Sequence, residues 1–139
     1  MNLARLLLRQ RGMSEGVFFS NSYQGAKALL DAAAARHEAL ASNLANAETP
    51  GYRRVDISPD FVNELRRAVE SGDPAAVDNL QPAITADPSR GTEKPNGNNV
   101  AVDRELLEIN RNALEYDAYV ELVSGSLKQL KVAITGRSF

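Results

Sequence analysis

VDRELLEINRNALEYDAYVELVSGSLKQLKVAI, residues 102–134, places Val102, Leu106, Ile109, Ala113, Tyr116, Val120, Val123, Leu127, Leu130 and Ile134 at strictly alternating steps of four and three. A solitary surface helix at 3.6 residues per turn drifts off such a repeat, whereas a helix packed along another helix keeps it. The spacing predicts a long helix that needs a helical partner. Burying one Leu, Ile or Val stabilises by roughly 1.5–3 kcal/mol, while ordering each backbone residue costs about 1–2 kcal/mol, so this helix alone does not recover its ordering cost.

The nearest candidate partner lies upstream. From about Asn21 to Ala47 the chain is rich in Ala and Leu and lacks Pro, and Ala26, Leu30, Ala33, Leu40, Leu44 and Ala47 follow the same alternating step, with His37 at the one interrupting position. Small Ala positions here leave room for the Leu, Ile and Tyr side chains of the second helix. Between the two, residues 48–100 hold all six prolines, which excludes a continuous helix. Ser58, Pro59 and Asp60 read as a cap and first turn, and Phe61, Leu65, Ala68 and Val69 as one apolar face, of a short helix over about 59–70. A helical turn is expected within Asp73 to Leu80 and an extended piece within Pro82 to Ala86. Asp87 to Asn99, DPSRGTEKPNGNN, has no apolar residue and reads as a mobile loop that orders against neighbouring subunits.

The expected fold is mainly α: long N- and C-terminal helices packed as a coiled coil, joined by an irregular, partly disordered middle with short helices and a short strand. In residues, 1–20 form a flexible N-terminal segment, 21–47 plus 101–139 a discontinuous coiled-coil domain, and 48–100 the irregular middle. Aromatics are only 6% of the chain and Trp is absent, so aliphatic seams rather than a bulky globular core must supply the packing. Sixteen basic against eighteen acidic residues supply no general attraction for nucleic acid. Without Cys there is no disulfide, thiolate nucleophile or Cys metal site. The basic opening MNLARLLLRQRG has too short an apolar run, Leu6 to Leu8, for a secretory signal, and no segment approaches a membrane span. The residues through Glu15 read as an extension, with Met13 as an alternative start.

The sharpest local feature is LASNLANAETPGY, Leu40 to Tyr52, where a helix stops abruptly. Pro50 presets the first central position of a type II turn, Gly51 supplies the positive φ of the second, and Asn46 can bond backbone near the helix end. This Ser-Asn-x-Ala-Asn-x-x-Thr-Pro-Gly-Tyr pattern, with Asn43, Asn46, Thr49, Pro50, Gly51 and Tyr52, resembles the N-terminal signature of the bacterial flagellar rod and hook axial proteins. Gly97-Asn98-Asn99-Val100, followed by an acidic heptad helix with Asn112, Tyr116 and Leu122, is similar to the FlgB-type proximal rod branch of that family. Asn96 stands where that branch often has Asp.

The resemblance implies a structural subunit of the basal-body rod, without enzymatic activity or cofactor. It implies export by the flagellar type III apparatus without a cleaved signal, and assembly with other copies and other rod proteins into a rod crossing the periplasm. Export-gate and basal-body base components are further implied partners; nucleic acid, a small-molecule substrate and a membrane span are not. Phe61 and Leu65 fit the short Phe-x-x-x-apolar export-gate element of such substrates, as do Phe19 and Tyr23 if an aromatic is admitted. The residues themselves favour ordinary apolar packing on a short helix over that element.

Other features have bland readings. His37 lacks an oriented partner or pocket for catalysis and reads as a partly solvated seam residue. Arg53-Arg54 and Arg66-Arg67 are interleaved with Asp56, Asp60 and Glu64 and read as a mixed-charge surface that can pair between subunits. No catalytic, cofactor or metal residue is assigned. A soluble coiled-coil adaptor or chaperone remains the alternative that the heptads alone allow.

Overall fold

The computed structural model describes residues 3–87 and 93–136, with side chains of the first helix described from Tyr23 onward. Two long helices, α1 (Leu3–Ala45) and α4 (Val102–Thr135), flank β1 (Val55–Ile57), α2 (Phe61–Glu70), α3 (Pro74–Asp78) and β2 (Ile84–Ala86). At 1.5 Å per residue, the 43 residues of α1 span about 64 Å. The helix begins well before Asn21, because residues 3–20 are rich in helix formers and contain no Pro to stop it. Phe19, in the alternative export element, lies outside the described side chains.

α4 runs antiparallel to α1: Asn43 meets Glu105, and further back along α1 Ala33 meets Asn112. On α1 the expected seam is largely the packed face, with Ala26, Ala33, Leu40 and Ala47 buried, Leu30 and Leu44 half-buried, and His37 exposed. On α4 the packed face differs from the apolar series. Glu105 and Asn112 are buried, while Leu106 and Ala113, one residue on, are exposed. One residue is about 100° of helix, so α1 covers the polar flank beside the heptad stripe instead of the stripe. The reason is electrostatic: Glu105 and Glu108 have arginine partners on the α1 side, and a carboxylate is buried only when paired.

The middle segment is folded over its described residues. Ser58 Oγ accepts from Asp60 N at 3.4 Å, and Phe61 and Leu65 of α2 bury with Ala32 of α1 and Val77 of α3, packed by Leu29, Ile57 and Val69. Gly25 of α1 lies beside Val69 of α2, where a Cβ would meet Val69 Cγ2 at an ordinary contact distance of 3.4 Å. Asp73 caps α3 by accepting from Ala75 N at 3.0 Å, with Pro74 at the first helical position. β1 and β2 pair antiparallel, Val55 with Ala86, Asp56 with Thr85 and Ile57 with Ile84. A two-stranded ribbon is marginal by itself. Here β1 is tied to α1, as described below. Of the loop read as mobile, residues 88–92 lie outside the described set, and the rest is anchored, with Asn98 fully buried.

Replacing Phe61 with Ala should lower the unfolding free energy by about 3–5 kcal/mol, as for other buried aromatic truncations. Equilibrium urea denaturation measures it, and a loss below about 1 kcal/mol would mean that α2 is not held by this core.

Candidate assembly interface

The turn after α1 and the loop before α4 meet as one unit. Gly51 adopts φ +72°, and Tyr52 N donates to Thr49 O at 3.3 Å, closing the Thr-Pro-Gly-Tyr turn. Gly97, at φ +80°, packs its α-carbon face against this turn: a Cβ on it would lie 3.5 Å from Gly51 Cα. Gly51 N donates to Asn96 O at 2.9 Å. Asn98 Nδ2 donates to Asn46 O at 2.9 Å and Thr49 O at 2.8 Å, while its Oδ1 accepts from Val100 N at 2.7 Å. Asn98 thus gives a second hydrogen bond to two carbonyls of the turns that follow α1, which already accept from Thr49 N and Tyr52 N. Asn46 Nδ2 reaches Ser42 O at 2.9 Å, and Thr49 Oγ1 donates to Asn46 Oδ1 at 3.2 Å.

Asn43 acts like a piece of strand. Its Nδ2 donates to Val55 O at 2.7 Å and its Oδ1 accepts from Val55 N at 2.9 Å, so it pairs with both backbone groups of one residue of β1. The same Nδ2 also donates to Glu105 Oε2 at 3.1 Å, and Tyr52 Oη donates to Asn43 Oδ1 at 3.2 Å. Arg54, buried and one residue before β1, donates through Nε to Glu105, through Nη1 to Asp87 at 2.6 Å and through Nη2 to Asp56 at 3.0 Å. Arg54 N donates to Asn99 Oδ1 at 2.7 Å. Arg36 bridges Asp56 at 2.9 Å and Glu108 at 2.9 Å.

Burial disfavours the charge on Arg54, but the hydrogen bonds it donates to Glu105 and Asp56 more than offset this and hold the guanidinium protonated above its ordinary range. Burial likewise opposes ionisation of Asp56, yet the bonds and charge of Arg36, the Ile57 N–H and Arg54 hold its carboxyl below the usual range. The Asp56 bond is the main cause that raises Arg36. Arg54 is therefore no solvated surface residue, as its sequence neighbours implied; Arg53 is, paired with Glu93 at 3.1 Å in the open. Sequence reasoning missed Arg54, Glu105 and Arg36. A faint signal existed in the seven-residue spacing of Glu105 and Asn112, which places them together on the flank of the stripe.

The apolar stripe of α4 stays largely uncovered. Val102, Leu106, Tyr116, Val120, Leu127, Leu130 and Ile134 are 36% to 75% exposed, Ala113 is exposed, and only Ile109 and Val123 are half-buried. Leu114 and Leu122 are exposed as well. So much contiguous apolar surface on one helix marks an interaction face. Thr49, Pro50 and Gly51 are exposed at the turn, whereas Phe61 and Leu65 are inside the core. Among the described residues no acidic or His cluster is arranged to hold a metal ion, and no helix is long and apolar enough to cross a membrane.

Residues 28–53 match the family model described as "Flagella basal body rod protein". The chain is 33% identical to the flagellar basal body rod protein FlgB of Aquifex aeolicus over 108 residues, covering 74% of this chain and 84% of that protein. It is 32% identical to FlgB of Bacillus subtilis over 129 residues, covering 85% and 96% of the two chains. With FlgB of Escherichia coli it shares 33% over 115 residues, covering 71% and 82%.

Glu105→Ala leaves Arg54 buried without its closest partner and should cost about 3–5 kcal/mol in chemical denaturation, well beyond an exposed ion pair such as Arg53 with Glu93. An effect under about 1 kcal/mol would remove this pair from the centre of the fold. Because the Asp56 carboxyl titrates below its ordinary value when folded, its contribution is full above the unfolded-state value and is lost as pH falls through and below about 4. Thermal melts should hold steady from pH 7 to about 5 and drop below about 4, with a shallower drop in Asp56→Asn; equal slopes would contradict the assignment.

Proposed function

The chain belongs to the flagellar basal body rod protein family, FlgB type, a structural subunit and not an enzyme, and on that footing we propose that it forms the proximal rod by polymerising through the exposed stripe of α4. The observation that carries this reading is that α1 covers the polar flank of α4, leaving Leu106, Tyr116, Val120, Leu127 and Leu130 to seek burial elsewhere. Copies, and other rod proteins beside them, lie side by side with stripes buried between them. A contact between unlike patches whose rotation does not close into a ring supports a growing shaft. Within each subunit the Arg54 cluster and the paired turns lock the middle segment to both long helices, which suits a rod that crosses the periplasm and transmits torque.

Export by the flagellar type III apparatus, without a cleaved signal, accompanies this role. Phe61 and Leu65 are buried in the folded subunit, so they serve as an export-gate element only in the unfolded chain. The export gate and the base of the basal body are then partners before and during assembly.

Deleting the gene should abolish swimming and remove the rod from purified basal bodies while the membrane ring persists, and the intact chain should restore both. Leu106→Asp and Leu127→Asp should fail to restore rods yet yield a secreted, folded monomer, because a charge in a buried seam is strongly unfavourable while the same charge on the free subunit is hydrated. Normal rods in the deletion strain overturn the rod assignment; normal rods in both variants overturn the seam.

A further inference from the structure

Between α1, α4 and the β1–α2 connection lies an open groove of about 250 Å³. Leu29, Ala33, Ile57, Val62 and Tyr119 give it apolar walls. Asn112 lies in its lining, 1% exposed, with Nδ2 donating to Ala33 O at 2.9 Å and Oδ1 without a hydrogen-bond partner. An unmet buried acceptor is unfavourable, and it asks for an incoming N–H or O–H. On the polar rim Asp56 is engaged by Arg36 and Arg54, and Arg36 in turn by Asp56 and Glu108, whereas Glu115 stands 3.8 Å from Arg36, beyond hydrogen-bond distance, and is the carboxylate left to meet an incoming donor. Glu115 is 44% exposed and retains oxygens free to meet a cation. Burial and Glu115 both raise the Tyr119 hydroxyl, keeping it a neutral donor and acceptor beside the carboxylate.

An apolar stem with a cationic, donor-only head matches this lining: the methylenes lie along the walls while the head reaches Asn112 Oδ1 and Glu115. We propose that the groove receives a Lys or Arg side chain from a second copy of this chain, fixing the register at which neighbouring subunits pack. This rests on the reading of the chain as a self-assembling rod subunit. A second copy is the occupant because Glu115 and Tyr119 each precede by one residue a member of the exposed stripe, Tyr116 and Val120, so a neighbour lying on the stripe passes beside the groove. The chain also carries exposed basic residues flanking that stripe, Arg104, Arg111 and Lys128 among them.

Two measurements test it. A photo-reactive aryl ketone amino acid in place of Val62, which is 54% exposed on the groove, is carried by the full chain in the deletion strain, and rods are irradiated and digested. Capture of a Lys- or Arg-bearing peptide of another copy is expected; capture only of its own chain, of a different protein or of nothing overturns the proposal. In parallel, Asn112→Leu and Glu115→Lys are compared for monomer melting and rod yield. Ala33 O keeps its own helical bond, so the monomer of Asn112→Leu should melt at or above the wild-type temperature, and Glu115→Lys close to it. Rod yield should fall at least about tenfold in both, as for loss of one charge-assisted bond. A lowered melting temperature with normal rods assigns Asn112 to the fold alone and overturns the proposal. If the deletion strain still builds rods, the rod assignment fails; if rods depend on the chain but no second copy is captured, the groove assignment fails by itself.

Discussion

Arg54 and Glu105 form the buried ion pair on which the architecture turns. Both are nearly or fully excluded from solvent, and each brings a segment with it: Arg54 the start of β1, Glu105 the first turn of α4. Asn43 of α1 donates to the same carboxylate, so three distant pieces of chain converge on one side chain. Two charges this deep are tolerable only because Asp56, Asp87 and Asn43 satisfy the remaining hydrogen-bonding capacity around them. The pair therefore contributes less to net stability than to which arrangement is allowed. An alternative rotation of α4 would carry Glu105 away and leave Arg54 buried without its closest partner.

The asparagines continue that logic through backbone groups. Asn43 pairs with both main-chain groups of Val55, and Asn98 takes the carbonyls of Asn46 and Thr49. A carboxamide has a donor and an acceptor in one plane, which lets it stand in for a peptide unit where helix or strand ends leave such groups open. The two glycine turns bring these side chains within reach, because Gly51 and Gly97 hold left-handed backbone and the loop at Gly97 packs on the turn at Gly51. Residues that look like markers in the sequence are thus the joints by which a middle segment of little intrinsic periodicity is fastened to the long helices.

This polar fastening has a consequence for assembly. Since Glu105, Glu108 and the amide nitrogen of Asn112 turn one flank of α4 toward partners inside the subunit, its aliphatic side remains for contacts outside. A rod subunit needs both: an internal junction that tolerates only one geometry, and an external face whose burial drives association. Apolar packing is non-directional and suits the second task, whereas the angular demands of Arg54 and Asn43 suit the first.

The two long helices, the short helix at Phe61, the turn at Pro50 and Gly51 and the stripe on α4 were all legible in the sequence, because each rests on neighbours a few residues apart: helix formers, a proline, a glycine, a repeat of alternating four and three. The family resemblance was legible for the same reason, being carried by two short blocks. Two boundaries were not: helix α1 begins at Leu3 rather than near Asn21, since nothing local ends it, and part of the loop read as mobile is anchored by Asn98. Tertiary structure alone decided which side of α4 meets α1 and that Arg54, flanked by charges in sequence, lies inside. Periodicity reports that a helix has an apolar side, not what covers it; that choice depends on Glu105 meeting an arginine 51 residues away, and spacing along one helix carries no record of such a partner.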